Sequence, residues 1–216
     1  MKTVIAIDGP AASGKSSVAR ALAQRLHFAY VNSGAFYRSI TWWVLHQGTP
    51  PDSADEVTAV LANTRLQSGY NEDDAYLLLN GIDASPHLRD QAVNDAVSPV
   101  SRVPFVRESL MTHLHQLAGA RDTVMEGRDI GSVVFPDTPF KFYIDASPEV
   151  RKQRRQAQGQ QDEIATRDRI DSSRPNAPLT IAEDALVIDS THLTVDGVVG
   201  EVIGRLKLLG LAVPES

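Results

Sequence analysis

The stretch GPAASGKSS at residues 9–17, directly after the apolar run TVIAID, constrains the fold more than any other part of the chain. It satisfies the GxxxxGK[ST] pattern, in which a buried strand ends, the backbone curls and a helix begins. Glycines let successive backbone N–H groups point inward, and the helix dipole adds positive potential at the same place. The motif therefore predicts a phosphate-binding loop made of Gly9, Pro10, Ala11, Ala12, Ser13, Gly14, Lys15, Ser16 and Ser17.

Two side chains at the end of this loop predict the ligand. Lys15 is expected to bridge the β- and γ-phosphates of a nucleoside triphosphate, and the hydroxyl of Ser16 is expected to bind Mg²⁺. A signalling GTPase would normally carry an Asn-Lys-x-Asp motif, and the sequence contains no Asn-Lys pair. The loop therefore predicts binding of a nucleoside triphosphate, whereas the reaction has to be inferred from other residues.

The remaining pattern predicts an α/β fold. Apolar runs at 3–7, 28–31, 123–125, 140–144 and 186–188 read as buried strands. Helical periodicity follows from Lys15, again after Asn32-Ser33-Gly34, and near 102–118, 148–158 and 195–208. Strands alternating with helices predict a parallel sheet covered by helices on both faces.

Two segments interrupt this alternation. Residues 65–83 contain two apolar or alternating runs around the polar turn Asn71-Glu72-Asp73-Asp74, which predicts a β-hairpin within a small insertion at 64–90. Residues 151–174 carry seven basic side chains against four acidic ones and predict a mobile lid over an anionic substrate. A charged, solvated helix face is the alternative for this second segment.

Composition limits the class of protein. At 216 residues, 42% of them hydrophobic, the chain is long enough for one domain with a substantial core. Its net charge of -6 argues against a general nucleic-acid binder, and the absence of cysteine suits a reducing compartment. No stretch resembles a signal peptide or membrane span, so we expect a cytoplasmic protein without a membrane partner. With no long apolar stripe left unassigned, we also expect a monomer.

Further motifs reveal a family resemblance. In chain order these are GPAASGKSS, NSGAFYR, LRDQAVNDAVS, VRESL, EGRDIGSVVFPD, RDRIDSSR and APL. With them the chain resembles the bacterial-type cytidylate kinases, in the nucleoside monophosphate kinase group, from residue 3 to about 208. The resemblance implies a P-loop kinase fold with a parallel five-stranded sheet, a small β-containing insert that binds the monophosphate, and a short helical lid. It also implies transfer of the γ-phosphoryl group of ATP to CMP or dCMP.

The resemblance also implies roles for individual residues. Ser33, Arg38, Arg128 and Arg167 would surround the acceptor phosphate and its transfer path, and Lys15, Arg128 and Arg167 would be the catalytic groups. Ser98, Arg107 and Asp129 would read the cytosine, with Tyr37 against the same pocket. Asp171, Arg167 and Arg174 would hold the ribose.

The chemistry of cytosine agrees with the implied readers. Cytosine offers an amino donor at N4 and acceptors at N3 and O2, which a carboxylate, an arginine and a serine can match. Uracil inverts two of these contacts and would leave buried polar groups mispaired, at about 1–3 kcal/mol each. We therefore expect discrimination against UMP.

The chain departs from the family pattern at two carboxylates. Glu126 stands in EGRD where the family usually has aspartate, and this departure affects its outer-shell role toward Mg²⁺, although a longer carboxylate can still orient a metal-bound water. Asn32 stands where members often have aspartate, so contacts to metal or phosphate would change. The segment between Arg155 and Arg167 is also short, which implies a short lid with modified donor affinity.

Two alternatives remain open at this point. One is a related P-loop kinase that phosphorylates another nucleoside monophosphate or a hydroxyl metabolite. The other is a nucleotide-sensing or RNA-binding module that uses the arginines of residues 151–174. The second predicts salt-sensitive RNA binding without phosphoryl transfer.

Overall fold

The structure is a computed structural model, and it describes residues 2–157, 168 and 179–214. Its strands and longer helices, in chain order, are β1 (Val4–Asp8), α1 (Lys15–Leu26), β2 (Ala29–Asn32), α2 (Ser33–His46), α3 (Ala54–Ala62), β3 (Leu66–Asn71), β4 (Asp74–Leu79), β5 (Ile82–Asp83), α4 (Gln91–Val100), α5 (Pro104–Ala120), β6 (Thr123–Gly127), β7 (Phe140–Asp145), α6 (Pro148–Ala157), β8 (Leu186–Asp189) and α7 (Val195–Leu208). The predicted α/β class is confirmed, and each predicted strand and helix is present within a few residues of its expected bounds.

The chain divides into two compact units, residues 1–31 with 118–216 and residues 32–117. The second unit is wider than the insertion predicted at 64–90, so the predicted subdomain boundary stays a prediction. Of the predicted lid at 151–174, the described part is α6 up to Ala157 together with Asp168. The remainder of that segment lies outside the described residues.

The first unit contains the parallel sheet, with strands in the order β2-β6-β1-β7-β8. β1 pairs in parallel with both β6 and β7, and β7 pairs in parallel with β8. The register sets Asp8 opposite Gly127 of β6 and opposite Tyr143 of β7. Because parallel strands bring their carboxyl ends to one edge, the loops that follow β1 and β6 lie side by side.

The core of this unit explains why its elements form. β1 and β6 are almost wholly buried, as expected for strands inside a parallel sheet. Alternate residues Ile5 and Ile7 contribute to one hydrophobic cluster with Leu22 of α1 and Val202 of α7, all fully buried. Helical spacing supplies the opposing apolar faces, and α1 begins where the glycine-rich loop ends.

The second unit contains the predicted hairpin. β3 and β4 pair antiparallel from Leu66 with Leu79 to Asn71 with Asp74, so the turn falls at Glu72-Asp73, within the predicted polar segment. Glu72 has a φ of 52°, the left-handed conformation of a tight turn. The hairpin is tied to α5 by the Tyr70 hydroxyl, which donates to the Leu117 carbonyl at 3.0 Å. Within the part of the chain that is described, no helix combines the length and apolar character needed to cross a bilayer.

Candidate active site

The phosphate loop joins β1 to α1 in the first unit. Ala12 and Gly14 have φ values of 58° and 90°, so left-handed residues recur along the loop. Such a backbone turns successive N–H groups toward one concave side. Gly14 is the residue that caps α1, and no side-chain cap is found there among the described residues. The positive end of α1 is therefore directed at the loop, as anion binding requires.

Four basic side chains contact carbonyl oxygens of this loop. Lys15 Nζ donates to the Pro10 carbonyl at 3.0 Å, which folds the lysine back across the loop. Arg128, from the end of β6, donates to the Gly9 carbonyl at 2.5 Å. The other two come from α6. The loop is thus surrounded by positive charge although the whole chain has a net charge of -6.

The two arginines of α6 belong to the segment that the sequence analysis predicted as a lid. Arg151 Nη1 donates to the Ala11 carbonyl at 3.3 Å, and Arg154 Nη1 donates to the Ser13 carbonyl at 3.1 Å. Arg154 also donates to the hydroxyl and carbonyl oxygens of Ser190, after β8. The Ser190 hydroxyl in turn donates to the Ser13 carbonyl at 2.8 Å. The sequence analysis did not predict Ser190, because no motif around this residue indicates a contact with the phosphate loop.

The Asp168 carboxylate accepts a hydrogen bond from a backbone N–H of the phosphate loop. Asp168 Oδ1 accepts from the backbone N–H of Ala11 at 3.1 Å, and its other oxygen forms an ion pair with Arg151. The Ala11 N–H therefore has a carboxylate oxygen as its acceptor in this structure.

The end of β6 carries the EGRD residues into the same unit. Glu126 and Asp129 are both buried, and Arg128 is partly buried. Glu126 Oε1 accepts from the Tyr30 hydroxyl at 3.3 Å, a partner that the sequence did not indicate. The water-orienting role expected of Glu126 stays a prediction.

Asp8 is the functional candidate that sequence reasoning missed. It lies at the carboxyl end of β1, and burial raises the pKa of its carboxyl to about 7. Two backbone hydrogen bonds, from Gly131 and Ile130, oppose that rise, while the charge of Asp129 adds to it and that of Lys15 opposes it. The position of Asp8, between an apolar strand and the first glycine of the loop, could have indicated a functional carboxylate.

The predicted acceptor residues of the second unit lie on α2, α4 and α5. Arg107 is 6% exposed, and its guanidinium carbon lies 5.6 Å from the centroid of the Tyr37 ring, a cation–π distance. Arg107 also donates to the Ser101 carbonyl at 3.5 Å, and the Ser101 hydroxyl donates to the Ser98 carbonyl at 3.1 Å. Tyr37, Ser98 and Arg107 thus belong to one connected group.

The start of α2 carries the other two residues predicted around the acceptor phosphate. Ser33, the first residue of α2, is buried. The Asn32 side chain caps the helix by accepting from the Ala35 N–H at 2.9 Å. Arg38 donates to Asn94 of α4 at 3.4 Å. Asn94 was not predicted, whereas Arg167, Asp171 and Arg174 lie outside the described residues.

The known proteins to which this chain is similar include cytidylate kinases. A family model described as cytidylate kinase matches residues 5–208. A cytidylate kinase from Geobacillus sp. is 40% identical over 92% of this chain and 94% of its own length. One from Rhodococcus jostii is 42% identical over 96% and 94%, respectively. Among solved structures, shikimate kinase from Bacteroides thetaiotaomicron is more distant, with a TM-score of 0.46 and 13% identity over 97% of this chain and 99% of its own.

The family match covers almost the whole chain, including the phosphate loop, the EGRD turn and the Tyr37–Arg107 group. The chain belongs to the cytidylate kinase family and is therefore a phosphate-transferring enzyme.

Proposed function

We propose that this kinase transfers the γ-phosphoryl group of ATP to CMP or dCMP, producing CDP or dCDP and ADP. The observation that carries the proposal is the loop at residues 9–17, which lies at the start of α1 and whose carbonyl oxygens accept hydrogen bonds from Lys15 and Arg128. Family membership adds the acceptor class. The relatives named cytidylate kinase support the same choice.

In this proposal the loop residues hold the donor phosphates. The backbone N–H groups between Gly9 and Ser17 bind phosphate oxygens, and Lys15 leaves the Pro10 carbonyl to bridge the β- and γ-phosphates. Arg128 is close enough to the loop to neutralise charge on the transferred group. Arg167 would add a second arginine to the transfer path.

The roles proposed for the acceptor nucleotide are those that the family resemblance assigns residue by residue. Ser33, Arg38 and Arg128 would bind the CMP phosphate, and Asp171, Arg167 and Arg174 would bind the ribose. Ser98 and Arg107 would face N3 and O2 of cytosine, while Asp129 accepts from the N4 amino group. Burial of Ser98, Arg107 and Asp129 supports this role, since mispairing with uracil would be costly only in a desolvated site.

Catalysis then depends on positioning and charge. The phosphate of CMP has a second pKa of about 6, so it is already mostly a dianion at neutral pH. No strong general base is required to generate the nucleophile. The arginines and Lys15 hold two mutually repelling anions in line, and exclusion of water prevents hydrolysis of ATP.

The residues present fit Mg²⁺. The hydroxyl of Ser16 lies in the first turn of α1 and is exposed, and hydroxyl and phosphate oxygens are the hard ligands that Mg²⁺ takes. Ser16 would hold the ion together with the donor phosphates. When bound, Mg²⁺ would neutralise negative charge on the donor phosphates.

The proposal includes a monomeric, cytoplasmic enzyme that binds no nucleic acid. Its acidic net charge of -6 favours small anionic ligands held by local basic residues over a polyanion held by a basic surface. Size-exclusion chromatography tests whether the enzyme is a monomer. An RNA-binding titration at several salt concentrations tests the prediction that it binds no nucleic acid.

An acceptor panel tests the reaction itself. A coupled assay of ADP formation with Mg²⁺ and ATP is run with CMP, dCMP, UMP, AMP and shikimate. We expect turnover with CMP and dCMP and little with the other acceptors. Strong turnover with UMP but not CMP would overturn the assignment of the cytosine readers.

A further inference from the structure

Asp8 makes a two-point contact with the turn that follows β6. Its Oδ1 accepts from the N–H of Ile130 at 2.8 Å, and its Oδ2 accepts from the N–H of Gly131 at 2.7 Å. Asp8 is 5% exposed, so these bonds are shielded from water. Both oxygens of one buried side chain are thus used to hold two consecutive amides, 122 and 123 residues away in the chain.

The two amides belong to the first two residues of a single π-helical turn, Ile130–Val134. The N–H groups of Val133 and Val134 both bond to the Asp129 carbonyl, and that of Phe135 bonds to the Ile130 carbonyl. The first N–H groups of a helical turn have no partner within the turn itself. Asp8 supplies that partner, and its negative charge complements the positive end of the turn.

The residues immediately before this turn are Arg128 and Asp129. Arg128 in turn donates to the carbonyl of Gly9, the neighbour of Asp8. In addition to the backbone pairing of β1 with β6, the side chains of Asp8 and Arg128 therefore connect the residues at and just after the ends of the two strands. Asp129 directly precedes Ile130 and Gly131, the two residues whose amides Asp8 holds.

Packing leaves little freedom for the turn to move. A Cβ atom at Gly131 would lie 3.1 Å from Cγ of Lys141 and 3.4 Å from Oδ2 of Asp8. Lys141 is itself fixed, since its Nζ donates to the Pro136 carbonyl and to the carboxylate of Asp184. Gly131 is thus confined between the lysine stem and Asp8.

We propose that Asp8 is a positioning residue of this kinase: by holding the Ile130 and Gly131 amides it aims Arg128 and Asp129 at the acceptor nucleotide. Asp8 itself touches no substrate in this scheme. The proposal rests on the roles given above to Arg128 and Asp129. Errors of about 1 Å at such groups cost on the order of 100-fold in rate, which sets the expected size of the effect.

The test compares Asp8→Asn, Asp129→Ala and the double variant at pH 8. Asn keeps the size of Asp8 but turns an NH₂ group toward one of the two N–H donors. The matched control is Asp122→Asn, which alters another carboxylate that accepts a backbone N–H of the same unit, from Thr3 at 2.7 Å. For each variant, kcat/KM is measured with CMP and with UMP at saturating ATP, and the Kd for ATP is measured separately.

We expect Asp8→Asn to lower kcat/KM for CMP on the order of 100-fold and to lower the CMP-to-UMP ratio of kcat/KM, with the Kd for ATP changed less than about threefold. The ratio is independent of the fraction of folded enzyme, so a purely structural role would not move it. In the Asp129→Ala background, Asp8→Asn should have little further effect on the ratio, because residues acting as a unit are not additive. The control should keep the wild-type ratio.

An unchanged ratio in Asp8→Asn, while Asp129→Ala lowers it, would overturn the proposal. If Asp129→Ala itself leaves the ratio at the wild-type value, the cytosine-reading role fails instead. The positioning role is then decided by amide NMR shifts of residues 128–131. Changes there in Asp8→Asn but not in Asp122→Asn support it, and unchanged shifts refute it. Should Asp8→Asn not fold, Gly131→Ala displaces the same turn and is expected to lower the ratio likewise.

Discussion

Replacing Asp8 by asparagine should change how the stability of this protein depends on pH. The Asp8 carboxyl is buried at the end of β1, and burial raises its pKa from 3.8 to about 7. In the unfolded chain the same group ionises near its ordinary value. Between these two values the folded protein binds a proton that the unfolded chain releases, so the contribution of Asp8 to stability falls as pH rises.

The size of the effect follows from the shift. Each pKa unit corresponds to about 1.4 kcal/mol, so a rise of about three units makes the contribution of Asp8 about 4 kcal/mol less favourable at pH 8 than at pH 4. Asparagine does not titrate. The difference in free energy of unfolding, wild type minus Asp8→Asn, should therefore fall by about 4 kcal/mol between pH 4 and pH 8. A constant difference in stability between the two proteins does not affect this change.

Urea denaturation at pH 4, 5, 6, 7 and 8 measures this difference directly. Asp122→Asn is the control, because that carboxyl also accepts a backbone N–H but is more exposed. Its difference from wild type measures how the loss of a carboxylate that accepts a backbone N–H affects the free energy of unfolding at each pH. A wild-type minus Asp8→Asn difference that stays constant within about 1 kcal/mol from pH 4 to pH 8 would show that Asp8 is ionised throughout and refute the reasoning.

Three further substitutions test the loop, the core and a helix cap. Gly9→Ala should abolish ATP binding measured by titration, since the new Cβ would lie 2.1 Å from the Ile144 carbonyl; retained affinity would contradict this. Leu22→Ala, in the core of the first unit, should cost about 2–5 kcal/mol in urea denaturation, and a loss below about 1 kcal/mol would show a loosely packed site. Asn32→Asp should keep the cap of α2 and raise stability by about 0.3–1 kcal/mol through the helix dipole, seen as a higher Tm; a lower Tm would count against the cap.

Local sequence determined the elements of this fold because each has a local cause. An apolar run followed by a glycine-rich loop and helical spacing predicted β1, the phosphate loop and α1, and α1 begins at the predicted Lys15. The polar segment around Glu72 predicted the hairpin turn, which is present. Alternation of strands and helices then predicted a parallel sheet, since crossover connections require it.

Partnerships between distant side chains were decided by the tertiary structure alone. The contact of Asp8 with Ile130, that of Arg154 with the Ser13 carbonyl and the approach of Arg107 to Tyr37 join residues far apart in the chain. No local pattern encodes such contacts, because each depends on strand order and on which carboxyl ends become neighbours. Whether a side chain is buried is likewise decided by the tertiary structure. An aspartate that reads as the end of a strand becomes a carboxyl with a pKa of about 7 only when the packed sheet and turn remove it from water.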